Sequence, residues 1–335
     1  MNAAIADTVK AKKVPRRVRA LAETKFWKSF LYKLVRLIML IGLAFTILYP
    51  LLQKVSSSFM SAGYKNGVST GALGANDLLD KTVMNIPRHP TFDNFITVIN
   101  QTGYLSALIN TALISLLCAA LQSFITLMVG YGISKFKFFG RKALTAIIIL
   151  LMIVPPQILL LPMYMQFRFF DIFGILQLLT GRPVNMIDTL GAPIILSLTG
   201  LGLKNGLYIF VMRQFFMGAP DELIEAAKID GAGPFKTFFR VMAPLATPVI
   251  TTVALLSFSW QWTDTFYSGL FFSRVKVLPN IFSSIVGIQH MIGADDYKTI
   301  LLDAGALLVI VPLLVLYLFT QKMFVEGIER SGITG

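Results

Sequence analysis

The chain has 335 residues, of which 55% are hydrophobic and 14% are charged, and its mean hydropathy is +0.71. Soluble domains carry about one quarter charged residues, so this composition excludes an ordinary soluble enzyme or binding domain. The net charge is +13, and ten of the 30 Lys and Arg residues lie between Lys10 and Arg36. A basic cluster directly before an apolar run is typical of the cytoplasmic anchor of a membrane protein, and we expect no nucleic-acid partner.

Six apolar segments are long enough to cross a bilayer, which takes about 18 residues or more in a helix. The predicted spans are 34–54, 107–134, 144–165, 193–216, 244–266 and 299–321. They predict an all-α integral membrane protein with a basic arm (1–33), a transmembrane domain (34–321) and a C-terminal tail (322–335). The basic region is too long for a signal peptide, and further spans follow it, so we expect no cleavage.

The distribution of basic residues predicts the orientation of the spans. With the N-terminus inside, the inner connections carry 20 Lys and Arg residues, the outer connections carry nine, and Lys204 lies within the fourth span. Positively charged connections stay in the cytoplasm, so both termini are predicted to be cytoplasmic. The largest outer connection covers about 55–105. Its first half, 61–76, is rich in Gly and Ser and predicts a flexible loop, and Thr91 can cap a short amphipathic helix after it.

The inner connection between the fourth and fifth spans, residues 217–240, has the pattern of a helix, a turn and a second helix. Pro220 suits a first helical position, and Glu222 favours the positive end of the helix dipole. Gly231 suits the left-handed residue that ends such a helix, and Pro234 suits the start of the next one. The pattern predicts a short, rigid helix lying across the cytoplasmic face.

This connection resembles the signature loop of bacterial ABC-importer permeases, in which Glu-Ala-Ala is followed after three residues by Gly and after nine more by Ile-x-Leu-Pro. The matching residues are Glu225, Ala226, Ala227, Gly231 and Pro244, with Val241 in place of Ile and Ala243 in place of Leu. The resemblance extends to the carbohydrate-importer branch, and within it to the smaller, six-span permease of maltose-type and complex-oligosaccharide importers. The segments that carry this likeness are 92–95, 212–216, 260–266 and 324–335.

The resemblance implies a type I ABC-importer permease fold in the bacterial cytoplasmic membrane. It implies a heterodimer with a second permease, two ATPase subunits that bind ATP and Mg, and an extracellular sugar-binding protein. The helix of the loop would act as the coupling helix, with Ala227 facing the ATPase cleft. The implied coupling residues are Glu222, Glu225, Ala226, Ala227, Asp230, Gly231 and Pro244. The C-terminal tail, with Ser331, Gly332 and Gly335, would reach the ATPase interface.

The chain itself is expected to be a transport subunit without a cofactor. The dipeptide Gly-Lys that a phosphate-binding P-loop needs does not occur in the sequence, so the ATPase must be a separate polypeptide. With one cysteine, Cys118, and two distant histidines, His89 and His290, neither a disulfide framework nor a metal site is expected. A secondary transporter, or another polytopic membrane protein without ATPase coupling, remains the alternative. The first four predicted spans contain no carboxylate for ion coupling.

Candidates for the substrate pathway are Lys204, Trp260, Trp262, Asp264 and Phe266. The aromatic residues lie near the outer end of the fifth span, where they either anchor the helix at the membrane interface or stack on a sugar ring. Asp264 either accepts hydrogen bonds from sugar hydroxyls or caps a helix end. An ammonium facing lipid at mid-membrane costs about 3 kcal/mol, so Lys204 is expected to face the pathway, the partner permease or freed carbonyls. Glu225 either is a solvated helix residue or braces the loop.

Overall fold

The computed structural model describes residues 16–65, 68–69, 86–292 and 295–332, and these residues are almost entirely helical. The helices are α1 (Arg16–Ser58), α2 (Asp93–Thr102), α3 (Tyr104–Lys135), α4 (Arg141–Ile153), α5 (Leu160–Arg168), α6 (Ile175–Thr180), α7 (Gly191–Leu198), α8 (Asn205–Gly218), α9 (Glu222–Ile229), α10 (Pro234–Thr237), α11 (Ala243–Leu245), α12 (Thr247–Trp262), α13 (Phe266–Phe271), α14 (Ile281–Ile292) and α15 (Asp295–Gly332). Short 3-10 helices occupy Pro156–Leu159 and Leu278–Asn280, and a π-helix occupies Phe238–Met242.

One small hairpin interrupts this helical pattern. Strands β1 (Tyr64–Lys65) and β2 (Val68–Ser69) pair antiparallel within the outer connection that the sequence predicts to be a flexible loop. The rest of that loop, from residue 70 to residue 85, lies outside the described residues, as do the first 15 residues of the basic arm.

The chain divides into two compact units, the first ending at Ser56 and the second beginning at Ser57. In the first unit, the part of α1 from Trp27 to Val55 exposes large apolar side chains on all sides. Leu37 and Phe45 are examples. A helix that is apolar all round suits a lipid environment. Three described helical stretches are long and apolar enough to cross a membrane unbroken: Trp27–Ser58, Tyr104–Lys135 and Tyr297–Lys322.

The third predicted span is a bent helix pair, and the fifth predicted span begins at the bend of a second pair. Arg141–Ile153 meets Pro156–Arg168 at 96°, and Pro234–Leu245 meets Thr247–Trp262 at 74°. Both bends fall beside prolines, which cannot donate a backbone hydrogen bond to the preceding turn. The prediction of an all-α membrane protein is confirmed. Six spans were predicted; by length and composition, three continuous helices and two bent pairs among the described residues qualify as spans.

The fourth predicted span, 193–216, is not one continuous helix. Residues 199–204 separate α7 from α8 and are not helical. Within them Gly200 has φ 75° and Lys204 has φ 60°, both in the left-handed region that ends a helix. Lys204 therefore lies in a helix break, not within a continuous helix as the sequence predicts.

The three largest apolar clusters of the described residues form most of the core of the second unit. One joins α2 and the start of α3 to α14 and α15, and a second joins the end of α3 to α8 and α12. The third joins the middle of α3 to α7 and the segments around α5 and α13. Helix α3 contributes to all three clusters, so it is the central helix of this unit.

Thr91 contacts the start of α2 but is not its N-cap residue, contrary to the prediction. The Asp93 N–H donates to the Thr91 hydroxyl oxygen at 3.1 Å, with Phe92 as the N-cap residue between them. The buried Asn94 amide donates to the carbonyls of Ser58 and Met60, each at 2.8 Å. These bonds fix α2 against the chain that follows α1.

Connections that are predicted on the outer side contact one another. The Asp188 carboxylate accepts hydrogen bonds from the N–H groups of Ser273 and Arg274, each at 2.7 Å, and from the Ser273 hydroxyl at 2.8 Å. Partial burial raises the pKa of Asp188, but these hydrogen bonds outweigh it and hold the pKa below its ordinary value. Nearby, the Asn110 amide donates to the Lys276 carbonyl at 2.9 Å. These contacts show that the two connections lie on the same side of the fold.

Candidate functional site

The loop 217–240 forms the predicted helix and ends it as predicted. Helix α9 begins at Glu222 with Asp221 as its N-cap residue, so Pro220 precedes the helix and does not open it. At its C-terminal end Gly231 has φ 75° and its N–H donates to the Lys228 carbonyl at 3.0 Å. The next N–H, of Ala232, donates to the Ala227 carbonyl at 2.8 Å. This pair of bonds is the Schellman arrangement, in which a left-handed glycine closes the helix.

Helix α9 has an outward and an inward face. Glu222, Glu225, Ala226 and Asp230 are exposed. Ala227 is only 8% exposed, so the prediction that it faces outward toward another protein is wrong. It lies one turn from the half-buried Ile224, which packs on the cluster of α3, α8 and α12, and i and i+3 residues share one helix face. The small residue available for a close external approach is Ala226.

Lys135, at the end of α3, holds the start of the loop 217–240 at Ala219 and Asp221. The Lys135 ammonium donates to the Ala219 carbonyl at 2.7 Å and to Asp221 Oδ1 at 2.6 Å. Its side chain is only 8% exposed, whereas that of Asp221 is 76% exposed. The hydrogen bond and the charge of Lys135 lower the pKa of Asp221. Two connections predicted on the inner side are thus joined, and the central helix is tied to the start of α9.

The surface around α9 is unusually apolar for an exposed loop. Ile229 is 86% exposed and Phe235 is 75% exposed, and Leu223 and Phe239 are exposed as well. Phe139, in the turn after α3, is fully exposed as well. Exposed apolar patches of this kind mark surfaces that another protein or a membrane covers.

Pro244 lies where the loop returns to the membrane domain. It is exposed and belongs to α11, directly after the π-helix Phe238–Met242 and before the 74° bend into α12. The Pro244 carbonyl accepts a hydrogen bond from the Thr247 hydroxyl at 2.7 Å. Because proline lacks an N–H, it is compatible with the irregular hydrogen bonding of this segment. Pro244 therefore sits at a structural joint, apart from the exposed face of α9.

A cavity of about 1190 Å³ opens in the membrane domain. Its walls come from the bent pair α4–α5, from the break between α7 and α8, and from the end of α12 with the start of α13. Four of the five predicted pathway residues line it: Lys204, Trp260, Asp264 and Phe266. The structure thus brings these four residues to the wall of one cavity.

The fifth residue, Trp262, is a core residue. It is 4% exposed, its Nε1–H donates to the Val309 carbonyl at 3.0 Å, and its ring stacks on Phe258 with centroids 5.5 Å apart. Buried tryptophans generally satisfy their N–H in this way. Trp260, two residues earlier and on another face of the helix, is 45% exposed.

Lys204 reaches the exposed ring of Trp260. The Lys204 Nζ lies 4.8 Å from the centroid of that ring, within the range of a cation–π interaction. Its backbone is left-handed, which costs a non-glycine residue about 1–2 kcal/mol. A residue held in such a conformation in a cavity is a candidate for function, since strain persists where the surroundings require it.

Asp264 caps a helix. Its Oδ1 accepts hydrogen bonds from the N–H groups of Phe266 at 3.1 Å and Tyr267 at 3.2 Å, and its Oδ2 accepts one from Ser268 at 2.9 Å. The carboxylate is 7% exposed and holds the start of α13. Of the two predicted roles, helix capping is the one that the contacts support.

The polar contacts of the helix break were not predicted from the sequence. The side chain of Gln122 in α3 packs so closely on Gly202 that a Cβ there would lie 2.6 Å from Gln122 Nε2. The side-chain oxygen of the same residue, Gln122 Oε1, accepts a hydrogen bond from the Ser257 hydroxyl at 2.5 Å. Asn205, 1% exposed, begins α8. A glutamine in the middle of an apolar span was the available signal, because buried amides need hydrogen-bond partners.

The C-terminal tail continues α15. Ser331 and Gly332 are the last residues of this helix, and Gly335 lies outside the described residues. Up to residue 332 the predicted tail is therefore helical.

A family model described as "Binding-protein-dependent transport system inner membrane component" matches residues 122–330, which include α9, the cavity residues and most of α15. The chain belongs to this family. It is a membrane permease subunit of an ABC importer, and ATP hydrolysis in such importers is performed by a partner ATPase. The loop 217–240 and its Gly231 fall within the matched segment.

Individual relatives and a solved structure agree with this placement. The maltodextrin transport system permease protein MalD of Streptococcus pneumoniae is 29% identical over 297 residues, 88% of this chain and 93% of the relative. The arabinooligosaccharides transport system permease protein AraQ of Halalkalibacterium halodurans is 27% identical over 296 residues, with the same coverage. A chain of a bacterial ABC transporter that imports the acidic polysaccharide alginate has a TM-score of 0.62 at 19% identity, covering 89% of this chain and 98% of that one. The last likeness confirms the type I importer fold.

Proposed function

We propose that this subunit forms half of the translocation pathway of an ATP-driven carbohydrate importer, with an oligosaccharide as its cargo. The relatives named above transport maltodextrin and arabinooligosaccharides. The cavity of about 1190 Å³ is large enough for several sugar units, since ligand pockets commonly measure about 300–1,000 Å³. Its lining is mainly apolar, and the aromatic and polar side chains among it are chemically suited to sugar rings and hydroxyls.

The coupling element in this proposal is α9. A partner ATPase that binds ATP and Mg would contact the outward face of α9, including Glu222, Glu225 and Ala226. The observation that carries this role is the rigid closure of α9 at Gly231 beside the exposed apolar side chains of Ile229 and Phe235. A short helix fixed at both ends transmits a displacement without fraying.

The complete transporter would contain a second permease, two ATPase subunits and an external sugar-binding protein. The cavity is assigned to a pathway shared with the second permease. The link between Lys135 and Asp221 favours one common side for the loops 135–142 and 217–240, and their basic residues favour the cytoplasm. Both termini would then be cytoplasmic. The tail around Ser331 and Gly332 would extend toward the ATPase.

The test is transport by the reconstituted complex. Proteoliposomes that contain both permeases and the ATPase subunits are supplied with the cognate binding protein and labelled oligosaccharides, with ATP and Mg inside. We expect ATP-dependent accumulation of at least one oligosaccharide, and ATP hydrolysis stimulated by the loaded binding protein. Accumulation without ATP, driven by an ion gradient, would support the secondary-transporter alternative, and absence of uptake for every saccharide would refute a carbohydrate cargo.

A further inference from the structure

The helix break between α7 and α8 places a positive charge in the transport cavity. Lys204 is the only Lys or Arg among the described residues that line the cavity. It forms no ion pair within the described part of the chain, where its ammonium instead contacts the ring of Trp260 at 4.8 Å. A cation at membrane depth needs an anionic or strongly polar partner.

The carboxylates of the cavity are already used by the fold. Asp264 accepts three backbone hydrogen bonds at the start of α13. Asp171 Oδ1 accepts hydrogen bonds from the N–H groups of Leu176 at 2.8 Å and Gln177 at 3.4 Å at the start of α6. Each carboxylate therefore compensates a helix N-terminus and neither forms an ion pair with Lys204.

The backbone adds to the positive potential at Lys204. Lys204 is the N-cap residue of α8, a helix of 14 residues, and the next residues, Asn205, Gly206 and Leu207, line the same cavity. The N-terminus of a helix carries partial positive charge, and half-helices that begin inside a membrane commonly point this end at an anionic group of the cargo. The ammonium and the helix end thus act on the same part of the cavity.

We propose that Lys204 and the start of α8 bind a carboxylate of the transported oligosaccharide, so that the importer takes acidic oligosaccharides such as those that contain uronic acids. Trp260 holds the Lys204 ammonium and offers its exposed ring to the adjoining sugar. The neutral side chains of Gln157, Gln166 and Thr199, which also line the cavity, are available to sugar hydroxyls. This inference rests on the proposed function, since it specifies the cargo of the same cavity.

The test compares each acidic oligosaccharide with its own neutral derivative. Oligouronides, and the same oligouronides after chemical reduction of their carboxyl groups, are offered to the complete importer in proteoliposomes with saturating binding protein. We expect an acidic oligosaccharide to be imported. Lys204→Met should slow its uptake about ten- to a hundredfold, the effect of losing a hydrogen bond to a charged group, and Lys204→Arg should retain most of it. Because the reduced sugar lacks the carboxylate, Lys204→Met should slow its uptake at least several-fold less than it slows uptake of the acidic sugar.

Two further variants guard against trivial loss of folding. Lys204→Gly removes the charge while relieving the left-handed backbone, so it should assemble and show the same selective loss. Lys298→Met removes a lysine that does not line the cavity, and uptake of both sugars should be unchanged. Assembly of each variant is checked by co-purification of the two permeases.

The outcomes distinguish a carboxylate on the transported sugar from a carboxylate on the second permease. If the second permease supplies the anion for Lys204, loss of the charge will slow the acidic and the reduced sugar equally, which would overturn the proposal. Import of neutral oligosaccharides alone would overturn it too, while leaving the proposed carbohydrate function intact. If no saccharide of either kind enters, both proposals fail.

Discussion

The Lys135 ammonium lies 2.6 Å from Asp221 Oδ1 and 2.7 Å from the Ala219 carbonyl oxygen, and it thereby joins the central helix α3 to the base of α9. Substitution of Lys135 by Met should loosen this base while leaving the apolar core in place. We expect reduced sugar uptake with retained ATP hydrolysis, because a mobile α9 transmits less of the ATPase movement. The ratio of sugar imported to ATP hydrolysed measures this directly.

Asp221→Ala provides a graded comparison for Lys135→Met. It removes one of the two acceptors and leaves the Ala219 carbonyl, so its effect should be the smaller one. Lys142→Met removes an exposed lysine of the next helix and should behave as the wild type. If all three variants import as much sugar per ATP hydrolysed as the wild type does, the contact between Lys135 and Asp221 has no part in coupling.

Gly231 allows a test of backbone conformation separated from packing. A Cβ at this residue would have no atom within 4 Å, so a substitution there acts through the φ of 75°. Asn adopts left-handed conformations readily, Ala costs about 1–2 kcal/mol, and a β-branched residue costs more. Uptake and co-purification of the ATPase should therefore fall in the order Gly231→Asn, Gly231→Ala, Gly231→Val. A different order would show that the left-handed closure of α9 is not required.

The neighbouring alanines of α9 should respond differently to a bulky residue. Ala226 is exposed, so Ala226→Trp should leave the permease stable and block close approach of the ATPase, reducing co-purification and uptake to background. Ala227 is 8% exposed, and overpacking there should destabilise the loop by about 1–3 kcal/mol. Thermal unfolding of the purified permease pair distinguishes the two: a lowered Tm is expected for Ala227→Trp alone. The reverse pattern would contradict the assignment of the two faces.

The sequence predicts the backbone of the loop 217–240 well where its signals are local. Gly231 and Pro234 set the backbone of their own turns, and both occupy the predicted positions. The face to which Ala227 belongs was not predictable, because it depends on packing against helices far away in the sequence. Lys135 was missed for the same reason: its partners, Ala219 and Asp221, are more than 80 residues away.

Hydropathy alone did not predict the break in the fourth span. Residues 193–216 are apolar enough to be taken for one helix, but several glycines surround Lys204. Tertiary contacts decide whether such glycines are tolerated within a helix or end it. In this protein the relevant contact is the packing of Gln122 on Gly202. Two adjacent prolines, Pro155 and Pro156, likewise indicate a break in the third span. The angle of the bend, 96°, is known only from the structure.

Asp188 should stabilise the outer connections through its carboxylate. Asp188→Asn keeps a residue that tolerates φ 61° but accepts fewer hydrogen bonds, and we expect a loss of about 1 kcal/mol, seen as a lowered Tm. Asp188→Ala should lose more, because the N–H groups of Ser273 and Arg274 lose their acceptor. The folded-state pKa of Asp188 is lowered, so its contribution is present above the unfolded-state pKa and is lost as the pH falls through the folded-state pKa. The difference in Tm between wild type and Asp188→Asn should therefore shrink on acidification; a constant difference would exclude a role for the charge.

Phe173 and Phe139 offer a matched test of the orientation. Both side chains are fully exposed, at 100% and 105%, and they lie in connections that are predicted on opposite sides of the membrane. The single native thiol, Cys118, is buried and should give little background. In intact cells a membrane-impermeant thiol reagent should label Phe173→Cys and leave Phe139→Cys unlabelled, because basic connections remain in the cytoplasm. After the cells are opened, both variants should react to the same extent, which controls for accessibility. Labelling of Phe139→Cys in intact cells would invert the orientation and place α9 outside, where no ATPase subunit can reach it.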